Sequence, residues 1–275
     1  MSTRKKSVIS LISYDADMLI SSISSYYPYV DEIILGVDED RISWSGNRFF
    51  FNEAKLWSEL AKLDTQSKIV VIEDNFHRSS IPIENDTHER NFLKQQCSHD
   101  WVFSFDADEI LINAKEFFID FCPIVQDYDD VELLFTWFLM YKQLPEGMLL
   151  IADETGNSVF KKDVQGFSAH RDLGTFTYCR WTNHPKKILS PLAIKHYSFC
   201  RTDSELDIKI NNFGHSVESK QDPFYTIRSN ITAQNYKQLK NFKTSNMGPQ
   251  WPTLALVSDA DLDMFLRQEA NKIYV

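Results

Sequence analysis

The sequence predicts an α/β protein with a mainly parallel central sheet and flanking helices, followed by a less regular, partly helical C-terminal part. Two observations carry this. Short apolar runs rich in Val and Ile alternate with stretches of helical periodicity up to Phe105, as in a sheet covered on both faces. Each of these runs leads directly into an acidic residue, and a parallel sheet with right-handed crossovers presents its ligand groups beyond the carboxyl ends of its strands.

Residues 7–13 (SVISLIS) read as the first strand, after which Asp15 caps a helix with Met18, Leu19, Ile23, Tyr26 and Tyr27 on one face. Residues 32–37 (EIILGV) form the second strand, ending at Asp38, and a polar loop containing Trp44 covers 41–48. Asn52 opens a helix with Leu56, Trp57, Leu60 and Leu63 at helical spacing, and residues 68–72 (KIVVI) form the third strand. Asp86-Thr87-His88-Glu89 reads as a capping box before a helix ending near Gln96. Residues 101–105 (WVFSF) are the fourth strand and deliver Asp106. Tyr14 with Asp15, Asp38, Asp74 and Asp106 should therefore gather at one rim.

Beyond this point, 131–141 reads as a long buried strand, while 157–162 and 188–197 look extended. Segments 203–213 and 222–239 look helical, and a last helix is expected over 258–272 with Leu262, Phe265 and Leu266 as its apolar side. Within 236–243, lysines every third residue with apolar groups between them would form a short basic helix, able at most to touch an anionic membrane.

The chain has 275 residues, enough for one full-sized core with an extension. Its 29 basic and 39 acidic side chains give a formal charge of -10, which lacks the electrostatic footprint of a nucleic-acid binder. Most of the 20 Phe, 11 Tyr and 6 Trp are expected in the core, and some should line a concave site, because aromatic faces suit sugar and base rings. Cys97, Cys122, Cys179 and Cys200 form no C-x-x-C pair, so free thiols in a reducing compartment are expected. The apolar run 8–12 is too short for a signal-peptide core, and no stretch approaches bilayer length. The expected location is cytoplasmic, including the inner face of the membrane.

Asp106 and Asp108 lie two apart at a strand mouth, so their side chains can project to the same side. Two fixed carboxylates at an apolar strand end repel one another and resist desolvation. A divalent cation resolves both problems, and oxygen ligands suit Mn2+ or Mg2+. An acidic turn that merely ends the strand is the plain alternative.

The surroundings of this pair resemble the nucleotide-diphospho-sugar transferase fold of GT-A type, in particular glycosyltransferase family 2. Residues 8–38 (VISLISYDADMLISSISSYYPYVDEIILGVD) look like that family's opening unit. Glu89-Arg90-Asn91 followed by FLKQQCSHDWVFSFDADEIL is similar to its Arg-bearing helix and metal-motif strand. Phe160-Lys161-Lys162 with 167–173, and Ile194-Lys195-His196-Tyr197, look like acceptor-side elements. The likeness is good over 7–112 and thin beyond about 165.

The resemblance implies a catalytic domain over 1–200, with a nucleotide-binding half at 7–112 and an acceptor half at 113–200, and a helical extension at 201–275 packed on it. It implies transfer of a single sugar from a nucleotide-diphosphate sugar, UDP favoured, to a saccharide or lipid-linked hydroxyl acceptor, with inversion. Asp106 would stand near ribose and metal, and Asp108 would coordinate the metal. Asp38 would contact the base, Tyr14 and Asp15 would wall its pocket, and Arg90 would support the phosphates. Asp172 would be the catalytic base, with Glu154 second, and His196 a further metal ligand. His170 and His184 would be acceptor-site groups. No late Q-x-x-R-W motif of processive synthases is present.

Three other readings compete. A phosphohydrolase would use the same D-x-D with its first Asp as nucleophile, but on the first strand, and with a small residue where Ile110 stands. A nucleotidyltransferase would need a glycine-rich first loop, and 13–17 holds no glycine. A non-catalytic sugar-nucleotide binder would share the fold and lack the base.

Overall fold

The computed structural model describes residues 4–99, 101–125, 132–152, 168–170, 175–183, 186–219, 224–243 and 250–272. The first half comprises β1 (Lys6–Ile12), α1 (Ala16–Tyr26), β2 (Glu32–Asp38), α2 (Glu53–Leu63), β3 (Ile69–Asp74), α3 (Pro82–Gln96) and β4 (Trp101–Ser104). Next come β5 (Glu109–Leu111), a π-helical turn over Glu116–Phe121 that runs into α4 (Cys122–Val125), β6 (Glu132–Leu144), β7 (Gly147–Ala152), β8 (Ser168–His170) and β9 (Lys187–His196). The remainder is α5 (Asp203–Asn212), α6 (Ser216–Ser219), α7 (Phe224–Ser229), β10 (Phe242–Lys243), β11 (Gln250–Trp251), β12 (Thr253–Val257) and α8 (Leu262–Lys272).

The four first-half strands lie parallel in the order β3-β2-β1-β4, flanked by helices. The alternation of strand side chains divides the core between two faces. Val8 and Ile12 join Phe103, Phe105, Phe117 and Phe135 on one side. Ile9 and Leu11 join Ile34, Leu93 and Phe176 on the other. The α/β expectation therefore holds, and the carboxyl ends of β1, β2, β3 and β4 share one rim. Beyond β4 the sheet continues antiparallel through β8, then β6, β7 and β12, with β9 beside β6 and β5 beside β9.

Gly36 explains how closely α3 lies on β2. A Cβ there would stand 2.7 Å from Leu93 Cδ1 and 2.8 Å from Glu89 Oε1. Only hydrogen fits at that approach.

Several boundaries differ from expectation for identifiable reasons. Helix α3 begins at Pro82, whose missing N–H suits the first helical position. Asp86 is therefore no cap: it is buried within the helix and bound to Arg90. The segment 236–243 is no basic helix, since a 3-10 turn over Tyr236–Gln238 leads to β10, where Phe242 is buried against Tyr141. Within 222–239 the described α-helix is α7 alone, and the last helix starts at Leu262 rather than 258. The stretch after residue 200 is not purely helical, because β12 pairs antiparallel with β7 in the main sheet. Residues 157–162 lie outside the described residues. No described helix is long and apolar enough to cross a membrane.

Candidate active site

The turn Asp106-Ala107-Asp108-Glu109 leaves β4 at the shared rim and is fastened on every side. Glu109 N–H donates to Asp106 O at 3.1 Å, closing the turn. Asp106 N–H donates to Glu109 Oε2 at 3.0 Å, and Ser22 Oγ, from α1, donates to Asp106 O at 3.1 Å. Tyr197 N–H donates to Asp108 O at 2.9 Å, and β5 pairs with β9 so that Glu109 lies opposite His196. These bonds fix where the two carboxylates point.

Both carboxylates face basic groups. Asp106 Oδ1 accepts from Arg90 Nη2 at 2.8 Å, while Oδ2 lies 3.2 Å from Arg180 Nη2. Burial opposes ionisation of Asp106, yet Arg180 and Arg90 hold its carboxyl below the usual range. Asp108 Oδ2 accepts from Arg201 Nη2 at 2.7 Å and from Lys209 Nζ at 2.8 Å. Its Oδ1 lies 3.6 Å from His196 Nε2. Burial pushes this carboxyl up, but Lys209, His196 and Arg201 together hold it well below the usual range. The Asp106 side chain is 26% exposed and that of Asp108 only 3%, so Asp106 is the open member of the pair.

Arg90 ties α3 to β4. Its Nε donates to Asp86 Oδ1 at 2.6 Å and its Nη1 to Ser104 Oγ at 2.9 Å, with the whole side chain buried. Arg180 forms a bidentate pair with Glu109 at 2.8 and 3.0 Å and lies over the Trp137 ring. Burial raises Glu109 to about 7 against the pull of Arg180. His196 stands against Trp137 with ring centroids 4.3 Å apart, and burial drives its pKa down to about 4, leaving it neutral at neutral pH. Among the described residues its buried Nδ1 has no hydrogen-bond partner.

The structure thus brings Asp15, Arg90, Asp106, Asp108 and His196 into one cluster. Asp15 joins through Arg201 Nη2, 2.9 Å from its Oδ2, and burial raises its pKa. Although Asp15 precedes α1, its side chain makes no cap bond. Tyr14 packs against the core beside it, and burial lifts its phenol well above the usual value. Asp38 is at the rim but turned inward: Oδ1 accepts from the N–H groups of Asp40 and Ile42, and Oδ2 from that of Phe76. Asp74 pairs with Arg78 at the surface. His170 lies in register with Trp101, at the end of β4 remote from Asp106. Asp172, Glu154 and His184 lie outside the described residues.

Arg180, Arg201 and Lys209 escaped the sequence reading. Thr202-Asp203-Ser204-Glu205 is a legible capping box, and both of its bonds are present. It places Arg201 at the entry of α5 and Lys209 within it, but their reach to Asp108 is purely tertiary.

The fit to a divalent ion follows from this geometry. The Asp108 oxygen that would bind one already receives two cationic groups, and both Asp106 oxygens face guanidinium groups. Among the described residues no group of three or more His, Cys, Asp and Glu side chains is arranged to hold a metal. As arranged, the donor set does not fit a resident divalent cation.

Comparison with protein-family models and with curated proteins finds no match for this sequence. Among solved structures, similar chains include S. aureus TarS 1-349, alone and in complex with UDP. Each has a TM-score of 0.33 and 15% identity over 51% of this chain and 36% of that one. A third S. aureus TarS structure gives a TM-score of 0.31 and 16% identity over 51% of this chain and 22% of that one. The matched part of this chain thus spans about a third or less of those chains.

Proposed function

We propose that this chain is a glycosyltransferase moving a single sugar from a nucleotide-diphosphate sugar, with UDP favoured, to a hydroxyl acceptor on a saccharide or glycolipid of a surface polysaccharide. One observation carries the reading: two carboxylates fixed at the carboxyl end of the fourth parallel strand, within a cluster of four basic side chains at the rim. A phosphohydrolase using the same D-x-D would want Asp106 free as a nucleophile on the first strand. Here it follows β4 and is held by two arginines.

In the transfer, the acceptor oxygen forms a bond to the anomeric carbon as the carbon–oxygen bond to phosphate breaks. The bonding pair leaves on the diphosphate, and the acceptor proton passes to a base. Asp106, fixed by Arg90 and Arg180, orients the donor through its exposed edge. The cationic cluster stabilises the charge that develops on the leaving diphosphate, as preorganised groups do in a water-poor site. Asp172 is the proposed base, with inversion at the anomeric carbon. A Mn2+ or Mg2+ ion would have to displace Arg201 and Lys209 from Asp108.

Thermal unfolding with a panel of UDP-, GDP- and dTDP-sugars tests the binding claim, since a ligand that binds only the folded state raises its melting temperature. One nucleotide class should do so, and the same donor should be turned over. A panel that shifts nothing and yields no nucleoside diphosphate overturns the reading. Asp172→Asn should keep donor affinity while lowering turnover by about two orders of magnitude or more.

A further inference from the structure

We propose that Arg201 and Lys209 are the diphosphate-binding groups of this site, neutralising the leaving nucleoside diphosphate with the chain's own charge and without a divalent ion. The proposal rests on the glycosyltransferase reading above. Two positive side chains converge on one oxygen, Asp108 Oδ2, at 2.7 and 2.8 Å. They hold the place a divalent cation would take at that oxygen, and Arg201 is shared with Asp15, so the pair meets a diphosphate by exchanging these carboxylates for phosphate oxygens. A metal ion added there would stand within a few ångströms of both cations, where like-charge repulsion is strong and solvent screening weak.

A second observation points to an anion as the partner of Arg201. Among the described residues, Arg201 Nε is buried without a hydrogen-bond acceptor, although the same guanidinium bonds Asp15 and Asp108 through Nη2. A buried donor without an acceptor is destabilising, more so when it is charged. A guanidinium offers five donors in a planar fork suited to phosphate oxygens. A diphosphate oxygen at Nε completes it, and neighbouring oxygens compete with Asp15 and Asp108 for Nη2 and for Lys209 Nζ.

The supporting structure holds both groups in place. Arg228 is fully buried and donates to the carbonyls of Tyr141, Phe199 and Arg201, pinning the backbone that bears Arg201. Its Nη1 also holds Asp203, the first residue of α5. Lys209 Nζ is steadied by Ser198 Oγ at 3.0 Å. When the bond from anomeric carbon to phosphate oxygen breaks, the electron pair settles on an oxygen facing groups that are already in position.

The test is calorimetric titration of the full chain with UDP, GDP and inorganic pyrophosphate, in EDTA and in Mn2+. The wild type should bind a diphosphate in EDTA within about threefold of its affinity in Mn2+, whereas Lys209→Gln and Arg201→Gln should each lose about tenfold or more in EDTA. Each variant's circular dichroism should match the wild type. Binding by the wild type that vanishes in EDTA and returns with Mn2+ overturns the inference and leaves the glycosyltransferase reading standing. Unchanged affinity in both folded variants also overturns it. No binding of any probe in either buffer removes the inference and the underlying reading together. If a variant fails to fold, the wild-type comparison decides.

Discussion

Replacing Arg90 with Met should strand a buried carboxylate, and the structure sets the size of the effect. Arg90 bonds Asp86, Ser104 and Asp106, and Asp86 is itself only 4% exposed. Asp106 keeps Arg180, so the loss falls mainly on Asp86. Breaking a buried ion pair by removing one partner costs about 3–5 kcal/mol. Urea unfolding of wild type and Arg90→Met at pH 7 should therefore differ by about 3–5 kcal/mol. Methionine fills the volume of the stem, so a loss of packing alone would be small. A difference under about 1 kcal/mol would refute the argument that Arg90 compensates a buried charge.

Two further predictions concern the contact between α3 and β2. Burial raises the Glu89 carboxyl from 4.5 to about 8, although it accepts from Trp44 Nε1 at 2.7 Å. The folded state then keeps a proton that the unfolded chain releases, so stability falls as pH rises through that window. Glu89→Gln should remove this dependence, and its urea midpoint should gain on the wild type between pH 5 and pH 8.5; a constant gap would contradict the buried neutral acid. Gly36→Ala should cost about 1–3 kcal/mol in the same assay, because its Cβ meets Leu93 and Glu89 at under 3 Å. A midpoint equal to wild type would mean that α3 moves off β2 without penalty.

The parallel half was legible because β1, β2 and β4 are buried on both faces, so SVISLIS, EIILGV and WVFSF stand out as apolar runs that end where charge begins. The start of α3 was misread for a local reason. Asp86 with Glu89 three residues on imitates a capping box, and only Arg90 four residues later reveals a buried ion pair. Ile81-Pro82-Ile83-Glu84 carried the true signal, a proline at the first position and an acid in the first turn. Asp38 shows another limit: its place at the end of β2 was readable, but not that backbone N–H groups from its own turn and from Phe76 would fill its carboxylate. Lys237 and Lys240 suggested a helical face, whereas Phe242 and Trp251 drew that stretch into a short two-stranded pairing.

The inference from paired acids to a bound cation illustrates what sequence reasoning can reach. Two carboxylates at the mouth of an apolar strand do require positive charge, and the structure supplies it to both. Local sequence fixes the demand, while the supply comes from groups 93 and 101 positions away in the chain. Asp106 draws on α3 and on the segment bearing Arg180; Asp108 draws on the entry and body of α5. The stretch after residue 200 is thus part of the acidic strand end, with Arg201 and Lys209 in the same cluster as Asp15 and Asp108. Asp15 comes from the loop after β1, Asp108 from the turn after β4, and Arg201 from the approach to α5. A ligand that competes for Arg201 therefore acts on three elements at once.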